Sequence, residues 1–220
     1  DKGDIYKWEN VQNLAQEIHQ DLRRSGLSVP DKVQLVVADG GFDAQRDSEF
    51  QEALAQKLVL CEMAAGIYLL RQGGTMILKM FGFQTATMRT AMQSMFDMFE
   101  LIQALKPISS RPASSERYVV FSGFRGLPPN WDGRSWMNSV FLGKATLKPP
   151  GHYVSLNAYL DEVDADMFAL NLKACFAILS ALGRKTAAMQ EDDMVDDNNW
   201  EDNEHSPVNI HSYKTEWRLH

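Results

Sequence analysis

The stretch that decides the class of fold is Val33-Gln34-Leu35-Val36-Val37-Ala38-Asp39-Gly40-Gly41. Its first six residues are rich in β-branched side chains and almost wholly apolar, which is typical of a strand buried on both faces of a parallel sheet. An acid and two glycines then end the strand, and glycine permits a close approach of the backbone to a ligand. We therefore predict a buried parallel strand with a polar turn at its carboxyl end.

Helix and strand patterns alternate around this strand. Apolar residues at helical spacing predict helices over 8–24, 49–71 and 84–97, and apolar runs predict strands over 75–81, 99–105 and 117–121. Such alternation predicts an α/β fold with a mostly parallel sheet, helices on both faces and right-handed crossovers. A loop over 126–136 and one more amphipathic helix over 161–182 are predicted to follow.

Composition limits the kinds of site and partner. The chain has 220 residues, 45% of them apolar, which suits one core with appendages. No uninterrupted apolar run reaches the roughly 18 to 20 residues that cross a bilayer, and the polar start is not a signal peptide, so we expect a soluble, intracellular chain without a membrane partner. Cys61 and Cys175 lie far apart and the histidines do not cluster, so neither a disulfide nor a metal site is predicted.

The formal charge of −7 is concentrated near the C-terminus. Residues 190–206 contain eight acids and neither Lys nor Arg, and without those acids the chain carries a formal charge of +1. We expect this acidic stretch to be disordered. The remainder of the chain is compatible with a nucleic-acid partner, which an evenly acidic surface would disfavour.

Three polar residues stand at or near the ends of predicted strands, where open α/β sheets bind their ligands: Asp39, Lys79 and Glu116. Lys79 is flanked by large apolar residues on both sides. Because removing a charge from water is costly unless an acid lies near, Lys79 is a candidate for proton transfer. A lysine that reaches solvent from an edge strand, a structural ion pair and a simple turn at Asp39 remain open alternatives.

Three stretches, in their order and spacing, resemble the FtsJ-like ribose 2′-O-methyltransferases. They are Ala38-Asp39-Gly40-Gly41-Phe42, then Leu78-Lys79-Met80-Phe81, then KPISSRPASSERYVV over 106–120. The third is closest to the eukaryotic mRNA cap-1 enzymes, in which KPxxSRPxxSERYVV is the norm. The opening Gly3-Asp4-Ile5 is similar to the segment of those enzymes that meets the cofactor's adenine. The likeness covers about residues 3–122.

This resemblance implies a Rossmann-like methyltransferase sheet and the cofactor S-adenosyl-L-methionine. Asp39, Lys79 and Glu116 match three members of the family's Lys-Asp-Lys-Glu tetrad, and Asp4 and Asp39 match cofactor-binding positions. In the implied reaction a ribose 2′-OH of RNA attacks the sulfonium methyl group while Lys79 accepts or steers the proton. No metal is required, because the sulfonium is already activated.

The implied substrate is RNA, most closely the first transcribed nucleotide of capped mRNA in the nucleus. From their charge and placement, Lys106 and Arg111 are predicted to lie beside the RNA backbone. The same reaction on ribosomal or transfer RNA stays an alternative, because the tetrad encodes the chemistry rather than the substrate. A second alternative is a catalytically inactive domain that acts as an interaction module. The oligomeric state is left open.

The resemblance also divides the chain. We expect residues 1–124 to form the C-terminal portion of the methyltransferase domain, 125–189 a family-variable extension with one helix, and 190–220 an acidic, disordered tail. In the family the Gly-rich cofactor loop and the first tetrad lysine precede the position of Asp4. We therefore expect these 220 residues to lack them and to bind the cofactor poorly on their own.

Overall fold

The computed structural model describes residues 3–26, 32–41, 51–141 and 153–192. In this part the predicted helices and strands are present and the α/β fold is confirmed. The bounds are mostly close, but β2 begins at Leu70, before the predicted start at residue 75 and within the end of the predicted helix over 49–71. The helices are α1 (Trp8–Arg24), α2 (Gln51–Leu69), α3 (Ala86–Met98), α4 (Gly133–Phe141) and α5 (Val154–Asp192), and the strands are β1 (Val33–Ala38), β2 (Leu70–Met80), β3 (Phe99–Leu105) and β4 (Arg117–Phe124).

The four strands form one mixed sheet in the order β1-β2-β4-β3. β1 pairs parallel with β2, whereas β4 pairs antiparallel with both β2 and β3. Since β4 alone is reversed, β1, β2 and β3 point the same way. The prediction of a mostly parallel sheet is therefore right in that three of the four described strands point the same way. It is wrong for the neighbouring pairs, because two of the three pairs are antiparallel. The reason is the connection over 106–116, which contains no helix and so returns the chain as an antiparallel neighbour.

One face of the sheet carries the core. β2 buries Met76, Leu78 and Met80 completely, and β4 buries Phe121 and Val119 opposite the first two. Because side chains alternate along a strand, these residues lie on the same face, where buried residues of α2, α3 and the first half of α5 join them in one cluster. On the opposite face the described residues of β2 and β4, such as Ile77 and Val120, are only partly buried.

β1 is exposed on one face in the described part of the sheet. Leu35 is 53% exposed and Val37 is 60% exposed, so the prediction of burial on both faces is wrong there. Val36 and Ala38 alternate with them and pack against the core. Among the described strands β1 has one neighbour, β2. Its apolar composition does not reveal how much of each face other residues cover.

The region after residue 124 contains two helices where one was predicted. The predicted loop over 126–136 includes the start of α4 at Gly133, where a Cβ would overlap the ring of Trp8. A glycine is needed at this close approach. The predicted helix over 161–182 lies inside the longer α5. That helix also includes the first residues of the stretch expected to be disordered, and the remainder of that stretch lies outside the described residues.

The first part of α5 belongs to the core, with Leu156, Leu160 and Val163 buried and the Tyr159 hydroxyl accepting a hydrogen bond from the Ala104 amide at 2.7 Å. Beyond Met167 the apolar residues are mostly exposed. By length and composition, the segment Val154–Arg184 is the one helical stretch in the described ranges that could cross a membrane. The absence of a membrane partner therefore stays a prediction.

A buried ion pair ties α5 to the sheet. The Arg117 guanidinium pairs with Asp164, and their side chains are only 5% and 10% exposed. Asp164 Oδ2 also accepts the Phe83 amide at 3.2 Å, and Arg117 donates to the Phe81 carbonyl at 3.3 Å. The pair thus joins the start of β4, the turn after β2 and the middle of α5.

We expect Asp164→Ala to lower the free energy of unfolding by about 3–5 kcal/mol, because it leaves a buried guanidinium without its counter-ion. Asp161→Ala on the same helix is the matched control, since Asp161 pairs with Arg89 but is 67% exposed and its loss should cost less than about 1 kcal/mol. Urea denaturation followed by circular dichroism measures both values. Equal losses in the two variants would contradict a special role for the buried pair.

Candidate active site

Two parallel strands bring the first two candidate residues together. Asp39 directly follows β1, and Lys79 is the last residue but one of β2. Ala38 lies opposite Leu78 in the parallel register, so the next residues along both strands also lie side by side. This edge is where the carboxyl ends of the strands meet and where open α/β sheets bind ligands.

Asp39 and Lys79 form an ion pair. Lys79 Nζ lies 2.6 Å from Asp39 Oδ1 and also donates to the Asp39 carbonyl oxygen at 3.3 Å. The lysine side chain is 12% exposed, whereas that of Asp39 is 56% exposed. The hydrogen bond from Lys79 holds the pKa of Asp39 below its ordinary value, although desolvation opposes it. Lys79 therefore does not reach freely into solvent, and its ammonium is held under a partly open carboxylate.

Tyr118 is a third member of this cluster that the sequence reasoning missed. Its hydroxyl donates to Asp39 Oδ1 at 3.0 Å, the same oxygen that Lys79 contacts. Tyr118 is the register partner of Lys79 in β4, so both side chains project from one face. Desolvation and the hydrogen bond to Asp39 raise the pKa of Tyr118 to about 12. The hydroxyl is therefore protonated and remains a donor at neutral pH.

Glu116 lies at the same edge but is held by other groups. It stands two residues before Tyr118, and its negative charge contributes to the raised pKa of that tyrosine. Ser110 Oγ donates to Glu116 Oε1 at 3.0 Å. Within the described ranges no hydrogen bond or ion pair joins Glu116 to Lys79. The structure thus brings Asp39 and Lys79 into contact and leaves Glu116 at the same edge of the sheet, held by Ser110.

Lys106 organises the loop that carries Glu116. Its Nζ lies 2.6 Å from the Ser114 carbonyl oxygen, 3.0 Å from the Glu116 carbonyl oxygen and 3.4 Å from Ser110 Oγ. Burial lowers the pKa of Lys106. All three N–H donors of the ammonium are used inside the loop, whereas Arg111 is exposed on it. Contact of either residue with RNA stays a prediction.

Asp4 is ordered just before α1. Its Oδ1 accepts the Tyr6 amide at 3.0 Å and its Oδ2 lies 3.3 Å from Lys7 Nζ. The Asp4 carbonyl oxygen accepts from Asn10 Nδ2 at 2.8 Å. The hydrogen bond from the Tyr6 amide keeps the pKa of Asp4 below its ordinary value. The carboxylate is thus held as an anion in a fixed position, and its predicted role at the cofactor stays a prediction.

Glu62, in the middle of α2, is the second residue that the sequence reasoning missed. It is 6% exposed, and its Oε1 accepts the Gly40 amide at 2.9 Å. Burial raises the pKa of Glu62, while the Gly40 hydrogen bond opposes the shift. A signal was present in the sequence, because Glu62 is an acid inside an apolar helical stretch, where a charge is found only if it has partners.

Other sites in the described residues are less suited to chemistry. No group of three or more side chains that could hold a metal ion is found in the described ranges. A cleft of about 560 Å³ lies between α1 and the starts of β1 and β2, with Gln16, His19, Lys32 and Tyr68 among its lining residues. It is at the end of β1 opposite to Asp39, and none of the candidate residues lines it. The candidate site is therefore the cluster at the carboxyl ends of β1 and β2.

The FtsJ-like methyltransferase family matches residues 1–124. The cap-specific mRNA (nucleoside-2′-O-)-methyltransferase 1 of Trypanosoma brucei brucei is 35% identical over 130 residues, which cover 59% of this chain and 32% of that protein. The Homo sapiens protein of the same name is 30% identical over 196 residues, which cover 86% of this chain and 22% of that protein.

The chain therefore spans a third or less of the length of these relatives. Among solved structures, a ribosomal RNA methyltransferase from Plasmodium falciparum aligns with 44% of this chain and 49% of its own, at 23% identity and a TM-score of 0.36.

We expect Tyr118→Phe to raise the pKa of Asp39 part of the way towards the ordinary value of about 3.9, because one of two donors to Oδ1 is lost while Lys79 remains. The ion pair of Asp39 with Lys79 stabilises the fold fully at a pH above the ordinary pKa of Asp39, and this stabilisation is lost as the pH falls through the lowered pKa of the folded protein. Because Tyr118→Phe raises the folded-state pKa of Asp39, the variant loses the stabilisation at a higher pH. Carboxyl ¹³C NMR titration measures the shift. Tyr159→Phe is the control, since that hydroxyl contacts Ala104 instead. An Asp39 pKa that is the same in Tyr118→Phe and the parent protein would contradict the contact.

Proposed function

The chain belongs to the FtsJ-like methyltransferase family, and from that premise we propose that it carries the catalytic centre of an RNA ribose 2′-O-methyltransferase that uses S-adenosyl-L-methionine. The observation that carries the proposal is the Lys79 ammonium held by Asp39 at the carboxyl edge of the sheet. A largely shielded lysine beneath a half-exposed carboxylate is suited to a hydroxyl substrate that must be oriented and then lose a proton.

Lys79 is proposed to act on the ribose hydroxyl. Two of its contacts go to Asp39, one to the carboxylate and one to the carbonyl oxygen, which leaves one of three N–H donors for a substrate oxygen. When bound, S-adenosyl-L-methionine supplies the methyl group: the 2′-oxygen forms the new O–C bond, the C–S bond breaks with its electron pair left on sulfur, and the hydroxyl proton is released. As an ammonium Lys79 steers that proton; only its neutral amine could accept it.

Asp39 and Glu116 are proposed to set the electrostatics around Lys79. Asp39 supplies the counter-charge directly at 2.6 Å. Glu116 lies on the same face and is fixed by Ser110. Tyr118 donates to Asp39 and so holds that carboxylate in position for Lys79. Because these groups are positioned before substrate arrives, little reorganisation is needed during the reaction.

The residues present suit the proposed cofactor. Asp39 is half-exposed, and no partner of its Oδ2 is found in the described ranges, so a carboxylate oxygen is available beside a cationic sulfonium. A Cβ at Gly41 would meet nothing within 4 Å, so the turn leaves open space for a ligand. Asp4 offers a fixed carboxylate that could accept from the amino group of an adenine while it keeps its ion pair with Lys7.

The proposed substrate is the first transcribed nucleotide of capped mRNA, acted on in the nucleus. Support comes from the names of the relatives, which are cap-specific mRNA methyltransferases in both a trypanosome and a human. Arg111, exposed on the loop over 106–116, is the proposed contact to RNA phosphates. Lys106 is proposed to support that contact by keeping the loop in shape.

We expect Lys79→Ala to reduce methyl transfer by at least roughly 10²-fold, because it removes the group that orients the hydroxyl and handles its proton. Radiolabelled transfer from S-adenosylmethionine to a short capped RNA is measured with protein expressed from its complete open reading frame. Lys173→Ala, which changes an exposed lysine on α5, is the matched control and should leave the rate unchanged.

The position of the methyl group tests the substrate. Nuclease digestion and mass spectrometry should locate it on the 2′-oxygen of the nucleotide next to the cap, and the same RNA with a 5′-triphosphate should accept little. Equal transfer to uncapped or ribosomal RNA would overturn the cap assignment. Transfer that persists in Lys79→Ala would overturn the assigned role of the lysine, and no transfer by the parent protein would favour a non-catalytic domain.

A further inference from the structure

The carboxylate of Glu62 is placed between α2 and the strand ends. It is 6% exposed, and it receives the Gly40 amide at 2.9 Å. Burial of an ionisable group among apolar residues is unfavourable unless it gains specific contacts. The charged groups that act on Glu62 are Lys79 and Asp39, and Glu62 in turn influences Tyr6. The contact and the charges that act on this acid thus come from the candidate site.

The peptide group between Asp39 and Gly40 is hydrogen-bonded at both its N–H and its C=O. The Gly40 N–H and the Asp39 C=O belong to the same planar group, which is rigid as a unit. Glu62 Oε1 accepts from its N–H at 2.9 Å, and Lys79 Nζ donates to its C=O at 3.3 Å. The unit is therefore held at both ends, which fixes the backbone that carries the Asp39 side chain.

The close approach depends on the glycine. A Cβ at Gly40 would collide with Glu62 Oε1 and with the Leu58 side chain, whereas a Cβ at Gly41 would meet nothing within 4 Å. Neither glycine has a positive φ, so the requirement at Gly40 comes from space alone. The two neighbouring glycines therefore differ in their surroundings: Gly40 lies against Glu62 and Leu58, and among the described residues Gly41 lies against neither.

We propose that Glu62 is a positioning residue of the active site: through the Gly40 amide it orients the Asp39–Gly40 peptide and so keeps the Asp39 carboxylate against Lys79. The effect on catalysis rests on the proposed function, but the effect on the Asp39–Lys79 geometry does not. A purely structural acid, satisfied by one amide, would leave the Asp39–Lys79 ion pair unchanged when replaced.

Two substitutions separate these roles. Glu62→Gln keeps an oxygen that can accept from Gly40, whereas Glu62→Met is unbranched, similar in length and has no such acceptor. We expect the pKa of Asp39, followed by carboxyl ¹³C NMR and assigned with Asp39→Asn, to rise towards its ordinary value in Glu62→Met. In Glu62→Gln it should stay close to that of the parent protein. Glu162→Gln, at an exposed position of α5, controls for loss of a charge.

The glycines give a second test that leaves Glu62 intact. Gly40→Ala should raise the pKa of Asp39 as Glu62→Met does, because its Cβ forces the carboxylate away, and Gly41→Ala should not. If circular dichroism shows that Glu62→Met is unfolded, the two glycine variants still test whether Glu62 positions Asp39. An Asp39 pKa unchanged in Gly40→Ala, or equal shifts in the two glycine variants, would overturn the inference.

Kinetics then separate the inference from the proposed function. With capped RNA, Glu62→Met should lower kcat by up to about 10²-fold with KM nearly unchanged, and Glu62→Gln should restore most of it. If the parent protein transfers no methyl group, the proposed function fails while the NMR result still stands. If Lys79→Ala abolishes transfer but Glu62→Met leaves both kcat and the Asp39 pKa unchanged, the inference alone fails.

Discussion

The parallel register of β1 on β2 is the constraint from which the site follows. With Ala38 opposite Leu78, the chain leaves β1 beside the last residues of β2, and Asp39 meets Lys79. The antiparallel register of β4 then sets Tyr118 opposite Lys79. A slip of one residue would turn Lys79 towards the core face and separate the cluster. The contact among Asp39, Lys79 and Tyr118 is thus a consequence of strand pairing. The loop over 106–116 then holds Glu116 at the same edge.

Strand alternation separates the residues of a buried ion pair from the residues of the candidate site. Arg117 and Tyr118 are neighbours in β4, yet they project to opposite faces. Arg117 forms a buried pair with Asp164 of α5, where both side chains are shielded from water. Tyr118 joins Asp39, whose carboxylate is more than half exposed. Because a buried pair resists change and an exposed carboxylate can receive a ligand, one strand supplies both rigidity and an accessible site.

Two of the residues that complete the cluster, Tyr118 and Glu62, could not be assigned from the chain alone. Tyr118 lies in an apolar run where a tyrosine is ordinary, and its role depends on which residue the antiparallel neighbour places across from it. Glu62 was visible as an acid in an apolar helix, but its partner is a backbone amide 22 residues earlier. A backbone amide has no side-chain identity, so no motif records such a contact. The prediction that β1 is buried on both faces is wrong because the apolar residues of a strand do not show whether other residues cover one face or both.

The sequence by itself determined the α/β class, the bounds of most helices and strands, and the three polar positions at strand ends, because these depend on local periodicity and on short motifs. It also carried the family resemblance that the comparison over residues 1–124 bears out. Tertiary structure decided the antiparallel position of β4 between β2 and β3, the contact of Lys79 with Asp39 rather than with Glu116, and the hydrogen bond from the Gly40 amide to Glu62. These depend on register and on distances of a few ångströms between segments far apart in the chain, which residue order alone does not specify.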